Sequence, residues 1–314
     1  MLTQERELNY LKVIFFIFGF SIMSWLPRFP EVKDHLGLSN GEFGSLLSLG
    51  AIGNIFALLT VGHLVHKYGA KLIMQTAFLT LAISIIVLSH TSSSFIFVIF
   101  MILFCIGISA FHISINAQGF SFQDRNKKQV ITLLSGYWSS GALLTSVVAG
   151  ILVGLVSIEV HIASVAILSL IVMFRTISTM KPNLVKPNEN PESNLKLSET
   201  FKGFNFDMLV SGGLLCAIML EFAVGDWSAI LIKEDFRILS GIHTLPFILF
   251  TLSMIIGRLG FHKVLHRFSM QKLAKVAAIV SGTSFLIGIA AVSAIGTKSH
   301  ALTIVVLSIS FTFA

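Results

Sequence analysis

Charge is what this chain has least of. Only 12% of its 314 residues are charged, against about 25% in an ordinary soluble domain. So few charges cannot solvate the surface of a globular protein of this length, which excludes the soluble classes. Cysteine is nearly absent. The two present, Cys105 and Cys216, both fall inside apolar runs, which argues against a disulfide framework or a CxxC metal site and leaves them as small core hydrophobes. Catalytic motifs are missing too. There is no HExxH, no CxxC and no Walker A loop, so no enzyme signature competes, no ATP engine is built in and no cofactor is expected. His63 and His66, like His262 and His266, belong to basic loops and do not make a metal site. The first apolar run, residues 10–27, lacks a clean small-residue cleavage site and is followed by many similar runs. It is expected to be a retained span and not a signal peptide.

What is present is apolar. Hydrophobic residues make up 54%, Phe alone occurs 28 times, and the mean hydropathy is +0.87. Crossing the hydrocarbon takes about 20 apolar residues. Nine complete spans are expected, at 9–27, 41–64, 71–89, 95–118, 130–156, 160–177, 208–232, 243–260 and 273–295, and a tenth begins near Ala301. The only long polar stretch, 178–207, separates a six-helix first part (1–177) from a second (208–314). A net charge of +7 would point to nucleic acid in a soluble protein. Here the basic residues lie in short loops, where they set orientation. With the N-terminus in the cytoplasm, seventeen Lys and Arg fall inside and five outside, which together are all 22. The positive-inside rule therefore places the N-terminus in the cytoplasm.

The two parts echo one another. HKYGAK at 66–71 lies 200 residues before HRFSMQ at 266–271, each following the second span of its part. Parallel repeats joined by a central linker form a transporter architecture, with the solute path between them. By that offset the second part is expected to hold six spans and to end near 380, some two and a half helices beyond Ala314.

The loop GHLVHKYGAK, 62–71, resembles the loop between helices two and three of the major facilitator superfamily. Gly62, Leu64, Gly69 and Lys71 match its pattern and Lys67 stands for its Arg. His66 replaces an Asp that in the family helps lock the cytoplasmic side, and Ala70 replaces another Arg. The glycines are expected to allow a tight reversal; the alternative is a plain basic turn. RFPEVKDHLGLSNGEFGSLL (28–47), INAQG (115–119) and EFAVGDWSAILI (221–232) resemble the YbjJ-type bacterial branch of that superfamily. The resemblance implies an all-α polytopic membrane protein of the bacterial inner membrane. It also implies a carrier that moves a small solute by alternating access, proton-linked (a symport) or facilitative, with sugar-like solutes among the candidates.

Site residues follow from what is costly in a bilayer. Glu221 sits near the middle of span 208–232, where a charged side chain costs roughly 2.5–3.5 kcal/mol on insertion scales. It is the candidate proton-coupling group, or else a hydrogen-bonding link to a neighbouring helix. Asp226 lies five residues on, about 140° around and about 7.5 Å higher on a straight helix. It is expected to pair with Arg28 at the outer mouth, with Gly225 able to swing both acids inward. His112, Asn116 and Gln118, with Ser114 nearby, could meet a polar solute or tie helices together. Trp138 and Trp227 could stack on a ligand, although Trp227 also suits an interfacial anchor. Small residues in 136–150 suit close helix packing. The rival reading is a non-transporting membrane protein: a sensor, a subunit or an inactive truncated product.

Orientation is directly testable. Single cysteines at Ser193 and Ser240, in a Cys-free background, are expected to react with an impermeant reagent from outside only at 240. Labelling at 193 in intact cells would reverse the topology.

Overall fold

The computed structural model describes residues 3–180, 184–186, 208–237, 241–265, 269–295 and 299–313. Most of the 178–207 linker, residues 266–268 of the second repeat loop and the labelling sites Ser193 and Ser240 lie outside these residues. All regular structure among the described residues is helical: α1 (Gln4–Ile22), α2 (Phe29–Leu36), α3 (Asn40–Ser48), α4 (Gly50–Tyr68), α5 (Ala70–His90), α6 (Ser94–Asn126), α7 (Ile131–Leu152), α8 (Ile158–Thr179), α9 (Met208–Glu234), α10 (Leu245–Leu265), α11 (Met270–Ile295) and α12 (His300–Phe313). Seven helical stretches among the described residues are long and apolar enough to cross a membrane, and two further apolar helices, Leu245–Arg258 and His300–Phe313, are shorter.

Several helix ends depart from the apolar runs, for local reasons. The first run does not make one straight helix. It stops at Ile22, turns through a 3-10 segment at Leu26–Arg28 and restarts as α2, with Pro27 and Pro30 at the two N-termini, where a missing N–H costs nothing. α2 ends on Gly37 in the left-handed region (φ 64), a cap that glycine adopts freely. The second run is divided at Leu49, and α3 begins with a capping box in which Ser39 and Glu42 each satisfy the other's backbone N–H. The fourth run continues well past its apolar part to Asn126 and ends where Lys127 turns left-handed (φ 52). Gly69 provides the expected reversal between α4 and α5, at φ 81 and ψ 158, where L side chains are strained. Gly62, by contrast, lies inside α4 and takes no part in the turn.

α1 crosses α7, α4 and α5 pack on α6, and α8 covers α5 and α1. This group encloses an aromatic core that includes Phe18, Trp25, Phe29, Phe43, Phe78, Phe97 and Phe111, all 2% exposed or less. α10 lies along α7 and packs on α12, which also holds α11. A second, smaller buried cluster there gathers Val224, Phe247, Phe250, Val292, Leu307 and Phe311. Ile52, Ile55, Phe56 and Leu59 of α4 are exposed, as a lipid-facing surface would be.

Small residues set the closest crossings. A Cβ at Gly19 would collide with the Trp138 carbonyl, and one at Gly141 with the Phe16 carbonyl, so the α1 and α7 backbones touch at two levels. Such contact supplies the van der Waals attraction that replaces a water-driven effect in lipid. Gly141→Ala is expected to cost about 1–3 kcal/mol of stability, the usual range for overpacking. Gly62→Ala, with nothing within 4 Å of its Cβ position, is expected to be neutral. Thermal melts of the purified proteins check both, and an unshifted Gly141→Ala would mean that the crossing is loose.

Candidate functional site

A cavity of about 600 Å³ opens where α9 and α10 face α1, α4, α6 and α7. Its wall is mostly aromatic and aliphatic, with Trp25, Phe29, Phe104, Trp138, Phe222, Trp227 and Phe247 among the lining residues. Its polar groups are few: Ser48, Asn54, His112, Glu221, Asp226 and Thr251. A largely apolar chamber with a handful of placed polar groups is the usual make-up of a small-molecule site.

Glu221 and Asp226 both line this chamber, although an ideal helix separates them by about 140°. Gly225, between them, also lines it and meets Leu26 and Phe247 at ordinary packing distance. Glu221 is partly open to the cavity and lies 3.9 Å from the Arg258 guanidinium. Arg258 is a site residue that sequence reasoning did not single out. It lies near the end of the apolar run 243–260, where it was counted only among the basic residues of the cytoplasmic side, and the structure places it within α10. There it sits 5.6 Å from the centre of the Trp138 ring and donates to Ser139 Oγ. Ser139 is within 3.9 Å of the Met254 sulfur. An acid, a base and an aromatic face are thus fastened to three helices, α9, α10 and α7. A guanidinium over an indole face is attracted by the ring quadrupole, so Trp138 and Ser139 steady Arg258 whether or not Glu221 is ionised.

The remaining candidates divide. His112 lines the cavity with its ring 5.9 Å from that of Phe18. Asn54, which sequence reasoning passed over, lines it too and accepts a hydrogen bond from Ser109 at 2.8 Å. Asn116 is half-buried and not part of the wall. Gln118 is fully buried in a different place. Its carbonyl accepts from the Val185 N–H at 2.9 Å and its amide donates to Glu7 at 3.4 Å. Glu7, only 2% exposed, is held by Arg125 at 2.6 Å. This polar knot ties α1, α6 and the start of the linker, with Val185 also accepting from the Ala70 N–H at 2.9 Å. Around the α4–α5 reversal, Lys67 lies 5.2 Å from the Tyr68 ring centre, His66 is in the last turn of α4, and Lys71 is in the first turn of α5.

Arg28 does not pair with Asp226. It is 1% exposed and donates to both carboxylate oxygens of Glu31, at 2.7 and 2.6 Å, and to the Val156 carbonyl at 2.8 Å. Glu31 is three residues away on the first turn of α2, so a bidentate pair forms locally before any distant helix can compete. Asp226 has no hydrogen bond or ion pair among the described residues.

A helical bundle that encloses a largely apolar chamber with two acids in its wall is a build that suits a membrane solute carrier. The Major Facilitator Superfamily profile matches residues 12–314, and the chain belongs to that family. It is thus a multi-pass membrane protein of a transporter family and not an enzyme. It is 21% identical over 282 residues to an uncharacterized MFS-type transporter of Yersinia pestis, spanning 88% of this chain and 71% of that protein. It is 23% identical over 251 residues to the membrane protein MosC of Rhizobium meliloti, spanning 80% of this chain and 60% of MosC. Its fold is similar to that of the nucleoside transporter NupG, with a TM-score of 0.68 at 15% identity, covering 98% of this chain and 80% of NupG. It is also similar to a bacterial homologue of the human drug peptide transporters PepT1 and PepT2, with a TM-score of 0.70 at 12% identity over 99% and 81% of the two chains.

A double-mutant cycle tests the reassigned ion pair. Arg28 and Glu31 are expected to couple by about 1–3 kcal/mol of stability, as contacting charged groups do. Arg28 and Asp226 are expected to be additive within about 0.5 kcal/mol. Strong coupling of Arg28 to Asp226 would restore the outer-mouth pair.

Proposed function

We propose that the protein is a secondary transporter of the bacterial inner membrane that carries a small solute by alternating access, linked to protons through Glu221. The N-terminus lies in the cytoplasm. The chain comprises a six-helix part (1–177), a linker (178–207) and a second part built as its parallel repeat, with nine complete spans and part of a tenth. The YbjJ-type motifs support the branch within the superfamily. A sugar-like solute suits the chamber, since Trp138 and Trp227 offer ring faces for the apolar side of a pyranose, and Asp226, Asn54 and His112 offer partners for hydroxyls.

The observation that carries this reading is the Glu221–Arg258 contact in the cavity wall. A carboxylate facing a guanidinium across two helices favours their approach. Once Glu221 takes a proton, that attraction falls away, while Arg258 keeps Trp138 and Ser139. Protonation at one face of the membrane and release at the other would then bias which way α9 leans against α10. Only such a difference in interaction between the two states allows a proton to shift their populations.

Glu221→Gln keeps the shape and hydrogen bonding of the side chain and removes its titration. The full gene product carrying it, assayed in membrane vesicles at several external pH values, is expected to lose gradient-driven accumulation. It should keep solute exchange, with a flat pH dependence. Accumulation equal to wild type would give Glu221 a structural role. No uptake by wild type under any gradient would favour the non-transporting alternative.

A further inference from the structure

Charge is unevenly placed around the chamber. Two carboxylates, Glu221 and Asp226, belong to its wall, and no lysine or arginine is among the described residues that line it. Arg258 answers one of the two acids, lying 3.9 Å from Glu221, and is fastened there by Trp138 and Ser139. Asp226 has no such partner among the described residues.

The groups around Asp226 define what would complement it. Asp226 lies within electrostatic reach of the Cys105 thiol on α6. One turn further along α6, Ser109 donates to the Asn54 oxygen at 2.8 Å, so the group Asn54 can offer a solute is its NH2. Ser48 and Thr251 give their hydroxyl hydrogens to carbonyls of their own segments, those of Ser45 and Phe247. The wall therefore leaves one uncompensated carboxylate, with an amide donor and the His112 ring as its other polar features.

A carboxylate on an apolar wall costs free energy unless a cation or several donors meet it. An anionic solute would set a second negative charge beside it. A hydroxyl would bring one neutral donor. A protonated amine brings the opposite charge and up to three N–H donors, the stronger kind of hydrogen bond. Aromatic faces along the same wall, Trp227 and Phe104 among them, favour the same ligand by attracting a cation to the ring.

We infer that the solute is a small organic amine, held with its ammonium group on Asp226 and its oxygens toward Asn54 and His112. This rests on the reading of the chamber as the solute site, and it narrows the sugar-like class to members that carry an amine. A volume of about 600 Å³ admits a solute of that size.

All three tryptophans of the chain, Trp25, Trp138 and Trp227, line the chamber, so their emission reports its occupancy. The full gene product is purified, with any tryptophan outside these 314 residues changed to phenylalanine. It is titrated with two matched pairs, benzylamine against benzyl alcohol and glucosamine against glucose, in a buffer that keeps both amines protonated. Each amine is expected to shift the emission saturably, with an apparent Kd on the order of tenfold or more below that of its neutral partner. Asp226→Asn should bring the members of each pair within about twofold of one another, and Asp226→Glu should keep the preference. If Asp226→Asn lowers the yield of folded protein, the wild-type comparison and Asp226→Glu decide. A preference for benzylamine alone would uphold the amine and remove the sugar-like body. Equal responses to benzylamine and benzyl alcohol, no saturable response to either, or a preference that survives Asp226→Asn would overturn the inference. No membrane or gradient enters the measurement, so its failure is distinct from a failure of proton coupling at Glu221.

Discussion

The backbone contact between α1 and α7 positions the rest of the site. At Gly19 the α1 helix lies against the carbonyl of Trp138 itself, so the residue that forms the aromatic wall is set by a crossing with no side chain in between. Ser139 follows on the next position and meets Arg258, which reaches Glu221. A chain of three contacts thus runs from a glycine in the first helix to an acid in the ninth. In lipid there is little hydrophobic force to press helices together, so the placement depends on such close steric fits. A methyl group at the crossing would be felt at the cavity because packed helices shift as units and do not deform locally.

Ionic groups in the bundle are arranged by what each can reach. Glu7 is sealed from solvent and satisfied by Arg125 and Gln118, and Arg28 is sealed and held by Glu31 and Val156 through its Nε and Nη2, its Nη1 being buried without a hydrogen-bond partner among the described residues. These closed sets act as fasteners, since parting a buried pair leaves a charge with nothing to replace its hydration. The acids of the chamber are different in kind. Glu221 faces its partner at the outer limit of an ion pair, and Asp226 faces the cavity with none. Groups left short of partners on the chamber wall are the ones to which the proposed mechanism gives the proton and the solute.

How much of this was legible in the sequence follows from which signals are local. The apolar runs and the breaks between them show the helical membrane class directly, because hydropathy is a property of each segment alone. Helix ends were less legible. α6 runs on to Asn126 through residues too polar for a span, held by the Glu7–Arg125 pair that a single stretch of sequence does not display. Glu221 and Asp226 stood out as charges in an apolar field, and both do line the cavity. Arg258 was hidden by its place at the end of an apolar run, where a cation ordinarily marks a cytoplasmic loop. The Arg28 partner was misjudged because a distant acid was weighed ahead of Glu31, three residues away. Gln118 was grouped with His112 and Asn116 because it lies near them in sequence, yet six residues carry it about 9 Å along the helix from His112 and round to another face. The signal that could have found this was depth along the helix in addition to face.

The rim residues Lys233 and Glu234 share one helix with the cavity acid Glu221, and that has a mechanical consequence. α9 runs unbroken for 27 residues, from Met208 to Glu234, about 40 Å of rod. Glu221 sits near its middle and Lys233 and Glu234 at one end, thirteen residues or about 20 Å from the acid. Gly225, which meets Leu26 of the facing segment and Phe247 of α10, lies between the two, near the natural pivot. In the proposed alternating access, a stiff helix pivoting there would carry its rim end and Glu221 in opposite directions. The Glu221–Arg258 separation, already at the limit of attraction, cannot stay constant through such a swing. Within the proposed mechanism, proton occupancy of Glu221 would bias the same rigid-body motion that moves the rim end of α9, with no need for a separate pathway between them.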